Sequence, residues 1–436
     1  MYLLNYFYFF IITSFGIKFL FQRSGIVPHP LYKNQWLSFN GPELFWTLTF
    51  STGLLAFSAS GVLDLMAVRL LVLEMLCLVG LFVAKHKPAW STASVCYILY
   101  MIWLLIGLFY SPAPIYGFRV IMKYLYPLCI MLFASAVVYD EEVFLKAGLY
   151  ARWVAVVCLV LSFIPGINLL IPGVFWTGTA QAIHFISMCI YSFALFYDGG
   201  YKKVNFYLGV LFMIPCVLWV FRTSIMGTTL ALLVFFFFKY KLKSLPMIVA
   251  CLLVFIVVIF CVPSIKEKMF NDGKGKNIEE LQNGNISTDD INSNGRFAMW
   301  EWSLNKFYRN KELIGTGTGN LQEIFYALRH PFGSIRICHN DYVQILCDNG
   351  VIGICLFGGS FLFLIFHSFR VYQNKCYGVV IRICAITAGS SAAGTLLTMY
   401  TDNVINYTMA TLSYPCGFYG MMLGLIAGTK MKKYAI

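Results

Sequence analysis

The sequence predicts an all-α, polytopic transmembrane protein of about 12–14 spans with one large extracytoplasmic loop. Three observations predict it. Apolar runs of about 17 to 25 residues recur from end to end, each long enough to cross roughly 30 Å of hydrocarbon as a helix. Of the 436 residues, 59% are hydrophobic, 17% aromatic and only 12% charged, which excludes a soluble globular chain. Basic residues, finally, gather in alternate short loops.

Candidate spans lie at 3–21, 43–62, 65–84, 92–110, 119–138, 147–166, 179–197, 205–221, 225–239 and 246–263. A polar insertion follows, and further spans lie at 345–366, 379–399 and 408–428. The chain thus divides into an N-terminal transmembrane bundle (1–263), a large loop (264–341) and C-terminal transmembrane helices (342–436). The first span lacks a basic leader and a small-residue cleavage site, so no cleavable signal peptide is expected.

The formal charge of +13 is unevenly spread. Residues 264–341 carry 10 basic and 10 acidic side chains, leaving 22 against 9 elsewhere. That excess sits at Lys85 and Lys87, Lys202 and Lys203, Lys239 to Lys243, Arg370 and Lys375, and Lys430 to Lys433. The positive-inside rule makes those loops cytoplasmic and puts 264–341 on the outer face. Such a distribution marks membrane orientation and does not point to nucleic acid. Most of the 14 cysteines, Cys77, Cys96, Cys129, Cys251 and Cys261 among them, sit in apolar spans, where cysteine packs as a small hydrophobe. No CxxC pair occurs, so no zinc site is expected.

A few cations fall on the outer side or within the membrane: Arg69, Arg119, Lys123 and Arg222. Burying such a group costs about 2.5–3.5 kcal/mol on insertion scales, so each needs a partner, a polar cavity or a route to the headgroups. Arg69 has Glu74 nearby in sequence as a partner. Arg222 opens RTSIMG between two short spans, where arginine, two hydroxyls and glycine meet at the outer surface.

Within the loop, residues 271–294 are rich in Asn, Gly, Asp and Ser and read as a flexible lead-in. Asn294 then suits an N-cap for a helix over 295–309, with Phe297, Trp300, Leu304 and Phe307 or Tyr308 forming one apolar stripe. Arg296 falls in its first turn, where positive charge opposes the macrodipole. That placement makes sense if free N–H groups and a guanidinium together bind an anion; the plain alternative is a surface arginine. Gly315, Gly317 and Gly319 in IGTGTGN lack the preceding strand of a nucleotide site and read as positions of unusual backbone or close approach. His339 opens HNDYVQIL at the mouth of a span that also holds Asp348, Asn349 and Gly350. Asn340 or Asp341 could fix its tautomer, and an imidazole with an unperturbed pKa near 6.5 can take a proton from a hydroxyl. Asp402, Asn403 and Asn406 in YTDNVINY form a second polar outer turn that could hydrogen-bond a sugar.

Together these residues give the chain a resemblance. The arginine before tryptophan in GRFAMW, the G-x-G-x-G run, HNDYVQIL…NGVIG entering a span and Arg222 in RTSIMG resemble the O-antigen polymerase and O-antigen ligase superfamily, best over about 205–425. The resemblance implies a GT-C-like membrane glycosyltransferase. It would use an undecaprenyl-diphosphate-linked oligosaccharide as donor and acceptor, without metal, nucleotide sugar or other cofactor. It implies His339, Arg296 and Arg222 as the catalytic set. Arg119, Lys123, Trp300 and Asn340 are then expected to bind substrate, as are Gly315, Gly317, Gly319 and Asp402. A repeat-unit polymerase is the favoured activity, with a ligase onto lipid A core, transfer to protein, or a non-enzymatic flippase as alternatives. The lipid bilayer and a chain-length-regulating membrane protein are the implied partners, the cytoplasmic membrane the implied location, and nucleic acid is excluded.

Overall fold

The computed structural model describes residues 2–28, 36–56, 65–162, 178–200, 202–218, 222–261 and 295–434, with isolated positions 164, 263, 266, 270 and 293. Among these residues, thirteen helices stand where the thirteen spans were expected. They are α1 (Tyr2–Leu20), α2 (Gly41–Thr52), α3 (Leu65–Val83), α4 (Thr92–Phe109), α5 (Pro114–Val137), α6 (Glu141–Ser162) and α7 (Gly178–Asp198). After them come α8 (Lys203–Leu218), α9 (Arg222–Tyr240) and α10 (Leu245–Cys261). Two short helices of the polar insertion follow, α11 (Arg296–Ser303) and α12 (Asn320–Tyr326). The chain closes with α13 (Asp341–Gln373), α14 (Val379–Thr401) and α15 (Ser413–Tyr434).

Six of these helices are long and apolar enough to span a membrane: α4, α5, α6, α9, α13 and α14. The outward face of α4 shows why lipid is their solvent. Val95, Leu99, Ile102, Ile106 and Phe109 recur at helical spacing and are all exposed. The 12-residue α2 is shorter than the expected span 43–62; a 3-10 turn at Gly53–Ala56 extends it, and 57–64 lie outside the described residues. At about 1.5 Å per residue, α2 alone cannot cross the hydrocarbon. A small antiparallel pair, β1 (Gly25–Pro28) with β2 (Trp36–Phe39), is an addition to the all-α expectation. Its Ile, Val, Trp and Phe suit extended backbone, and Gly25 follows the end of α1.

At the centre stands α14, buried on nearly all sides. Its ITAGSSAAGT segment lets neighbours come close. A Cβ on Gly394 would lie 2.6 Å from the Gly227 carbonyl oxygen of α9, and one on Gly227 would lie 2.4 Å from Thr398. The hydroxyls of Thr387, Ser391 and Thr395 donate back to carbonyls one turn earlier, while the buried Ser390 hydroxyl has no partner among the described residues.

The basic loops gather at one end of the bundle. Lys239 pairs with Asp198 at 2.8 Å, Tyr372 donates to Asp198, and the Tyr139 hydroxyl donates to the Lys87 carbonyl. The polar insertion sits at the other end. Its lead-in, Asn294 included, lies outside the described residues apart from Ser293; Gly295, at φ +74°, occupies the cap position of α11. As expected, α11 and the following π-turn bury one stripe. Met299, Trp300 and Phe307 pack with Leu321, Phe325, Cys338, Val343 and Cys347, against the start of α13.

The Arg69–Glu74 pairing does not form: no ion pair joins them, and both Glu74 carboxylate oxygens lack a hydrogen-bond partner. Five positions apart on one helix, the two side chains point in different directions. Among the described residues every cysteine is free.

Candidate functional site

Two polar constructions meet α13 at the insertion end. The first is a clasp made by the G-x-G-x-G run. Gly315, Gly317 and Gly319 all take positive φ (71°, 106° and 86°), which L side chains rarely adopt. Each also lies too close to its neighbour for a side chain. A Cβ would fall 2.4 Å from Asp348 at Gly315, 2.5 Å from Ser111 at Gly317 and 2.2 Å from the Gly117 nitrogen at Gly319. The Asp348 carboxylate accepts from the Gly319 and Leu321 N–H groups at 3.0 and 2.8 Å. Thr318 donates to the Leu104 carbonyl and accepts from Asn349. At Gly350 (φ 66°, ψ −166°) α13 breaks, and Val351 and Ile352 donate to the Glu312 and Leu313 carbonyls. The glycines therefore lock the insertion onto α4, α5 and α13, and the polar groups of this region are spent on one another.

The second construction is the turn that ends α14. The Thr401 carbonyl accepts from Arg296 Nη1 at 2.5 Å, and the Thr401 hydroxyl lies 3.1 Å from that of Thr223. Asp402 Oδ1 is 3.1 Å from Nδ1 of His339. Asn403, fully buried, accepts the His339 N–H through Oδ1 and donates through Nδ2 to Asp341 (2.9 Å) and Gln344 (3.1 Å). Asp341 also accepts from the Ile405 N–H. Three consecutive residues thus hold Arg296 from the insertion, His339 from the mouth of α13 and Thr223 from the start of α9. Arg222 is the first residue of α9, next to Thr223; its own side chain is outside the described part.

His339 has φ +52°, the left-handed region, which costs a non-glycine residue about 1–2 kcal/mol. Its neighbours impose that conformation. The Trp300 indole donates to the Cys338 carbonyl at 2.9 Å, Asn403 grips the His339 N–H, and Asn340 caps α13 by accepting from Val343. The imidazole stays accessible, at 28% exposure beside 14% for Asp402. With Nδ1 on a carboxylate, the ring carries its proton there and presents Nε2 as an acceptor. The tautomer is set by Asp402, from 63 residues away, and not by Asn340 or Asp341 as expected, because both of those turn inward to hold backbone and Asn403. The Cys338 thiol is pushed far up by burial, so it is no nucleophile.

Of the other expected residues, Lys123 Nζ donates to Asn406 at 2.6 Å, on the same outer turn. Arg119, one helical turn earlier on α5, lies over the Tyr116 ring. Trp300 is 8% exposed and Asn340 1%; their polar groups are committed to bracing His339. Sequence reasoning missed Asn403 as the joint of the site, since a solvated turn and a buried joint have the same composition. Among the described residues no three His, Cys, Asp or Glu side chains gather as metal ligands.

No protein of curated function matches the chain. A family model described as O-antigen ligase matches residues 207–358, which takes in Arg222, Arg296, the glycine run, His339 and Asn340, and stops short of Asp402. Over that stretch, about a third of its length, this all-α chain is similar to the O-antigen ligase family.

Proposed function

We propose that the chain is a glycosyltransferase that polymerises undecaprenyl-diphosphate-linked repeat units at the outer face of the bacterial cytoplasmic membrane. The observation that carries this reading is the convergence of Arg296 and His339 on the Thr401–Asn403 turn, one residue from where α9 brings Arg222. In the reaction, the acceptor sugar's hydroxyl oxygen forms a bond to the donor's anomeric carbon and gives its proton to Nε2 of His339. The bond from that carbon to the diphosphate oxygen breaks, and the diphosphate leaves with the electron pair. Asp402 stabilises the imidazolium that forms, and the proton passes on to solvent. Negative charge grows on the departing diphosphate, so guanidinium groups placed there favour the transition state over the ground state. Arg296 spends one N–H on Thr401, which fixes the group while leaving its other donors for phosphate oxygens.

Orientation follows from the basic end of the bundle, which the positive-inside rule places in the cytoplasm. An impermeant thiol reagent should then label single cysteines placed in 295–335 on intact spheroplasts, and protection of all of them would reverse the topology.

The name of the matching family favours a second reading, transfer of finished glycan to a lipid A core. Purified protein given lipid-linked repeat units separates the two. A polymerase makes a ladder of longer lipid-linked glycans; a ligase makes none until lipid A core is added. Transbilayer movement of the substrate with no new glycosidic bond would refute both.

A further inference from the structure

Next to this site runs a strip of two neighbouring tyrosines with an arginine at each end, which the transfer chemistry does not use. The Arg119 guanidinium carbon lies 5.4 Å from the centre of the Tyr116 ring. The Tyr116 and Tyr326 rings are 5.8 Å apart and tilted by 52°. Arg336 in turn stands 5.5 Å over the Tyr326 ring. The strip joins two regions distant in sequence, the start of α5 and the end of α12. The clasp builds that junction: Gly319 touches Gly117, and Ser111 donates to the Thr318 carbonyl, so the seven residues of α12 lead straight to Tyr326 beside Tyr116.

Its two ends run into the transfer site. Arg336 is three residues before His339. Arg119 is one helical turn before Lys123, which holds Asn406 on the turn that carries Asp402. Tyr326 is 47% exposed, Arg336 is exposed, and Tyr116 and Arg119 are partly so. The nearest carboxylate on α12, Glu323, is already paired with Arg329 at 3.2 Å and does not neutralise Arg336.

We infer that Tyr116, Tyr326, Arg119 and Arg336 form a glycan-binding strip leading to His339, and that its ligand is an acidic oligosaccharide. The inference rests on the transferase reading for its biological purpose. The chemistry is general. A tyrosine offers a flat apolar face with a wet edge, which suits the apolar face of a sugar ring. A guanidinium stacked on an aromatic ring keeps its in-plane donors free, and those donors fit a carboxylate two oxygens at a time. Each step along the strip, 5.4, 5.8 and 5.5 Å, is comparable with one sugar unit. A neutral glycan would use the tyrosines alone; uronic-acid units would use all four side chains.

Direct binding tests this without any transfer. The full-length protein, in nanodiscs of phosphatidylcholine, is titrated calorimetrically with tetragalacturonate and with the neutral galactose tetrasaccharide of the same linkage. The acidic probe should bind about tenfold or more tighter, with an affinity that falls as salt rises. Arg336→Gln and Tyr326→Ala should each weaken it about tenfold, while Tyr326→Phe should bind like the parent. Both changes are at the surface, so folding should survive, and retained binding of the acidic probe by His339→Ala would support a strip separate from the chemistry. Equal affinity for the two probes, or unchanged binding after both substitutions, would overturn the inference. Intact strip binding in a protein that transfers nothing supports the strip and refutes the transferase reading.

Discussion

The glycine clasp and the Thr401–Asn403 turn lie at the same end of the bundle, engage the same helix and are equally polar, yet they differ in what they leave over. In the clasp, Asp348, Asn349 and Thr318 are buried and satisfied by one another and by backbone. In the turn, the buried part (Asn403, Asp341, Gln344) is equally satisfied, but it supports an outer layer with spare capacity: Nε2 of His339 and the remaining donors of Arg296. Polarity at a membrane surface therefore does not mark a site by itself. A clasp closes on its own hydrogen bonds, whereas a site uses closed bonds to hold open ones, at a cost in strain such as the left-handed His339.

The sharpest break in this comparison comes from His339→Ala. Loss of a general base should lower transfer by about 10²–10⁴-fold, with normal amounts of inserted protein. Normal polymer at normal protein levels would remove His339 from the chemistry. The clasp should respond in the opposite way. Gly319→Ala puts a Cβ against the Gly117 backbone at a φ of +86°, and about 2–5 kcal/mol of stability should go. Thermal unfolding in detergent would show it as a large drop in Tm, and a Tm within error of the parent would mean the clasp is not structural. Arg296→Lys keeps the charge but loses the planar fork, and the rate should fall by about 10²–10³-fold without loss of fold. The smallest effect belongs to the joint. Asn403→Ala removes the partner of Asp341 Oδ1 and of the His339 N–H, costing about 1–3 kcal/mol, and should lower Tm and transfer together. Should transfer fall with an unchanged Tm, Asn403 would belong with the open layer instead.

Most of the helical frame was legible because lipid imposes a one-dimensional rule. A segment must be apolar for long enough and must close its own backbone hydrogen bonds, and both demands are written in consecutive residues. Misses at the frame's edges have local causes. The short α2 gives way to a 3-10 turn at Gly53–Ala56, and the break at Gly350 falls inside a segment long enough to read as one span. For the site, His339 and Arg296 could be singled out by type, as ionisable groups at a membrane edge, and Arg296 did fall in a first turn. The glycines were correctly read as close approaches, but not what they approach.

Partnership is what local sequence could not carry. Asn340 and Asp341 stood beside His339 in the chain and were the natural orienting groups; the helix they begin turns both inward, and Asp402 arrives from the end of α14 instead. Whether an asparagine in an outer turn is solvated or buried depends on what packs over it, and Asn403 and Asn406 look alike until α13 and α5 are in place. Composition and period thus determined, from the sequence alone, a bundle of apolar helices with one polar end and a basic opposite end. Only the tertiary structure decided which polar groups at that end are consumed in holding helices together and which are left facing outward, because hydrogen bonds are satisfied in space and not along the chain.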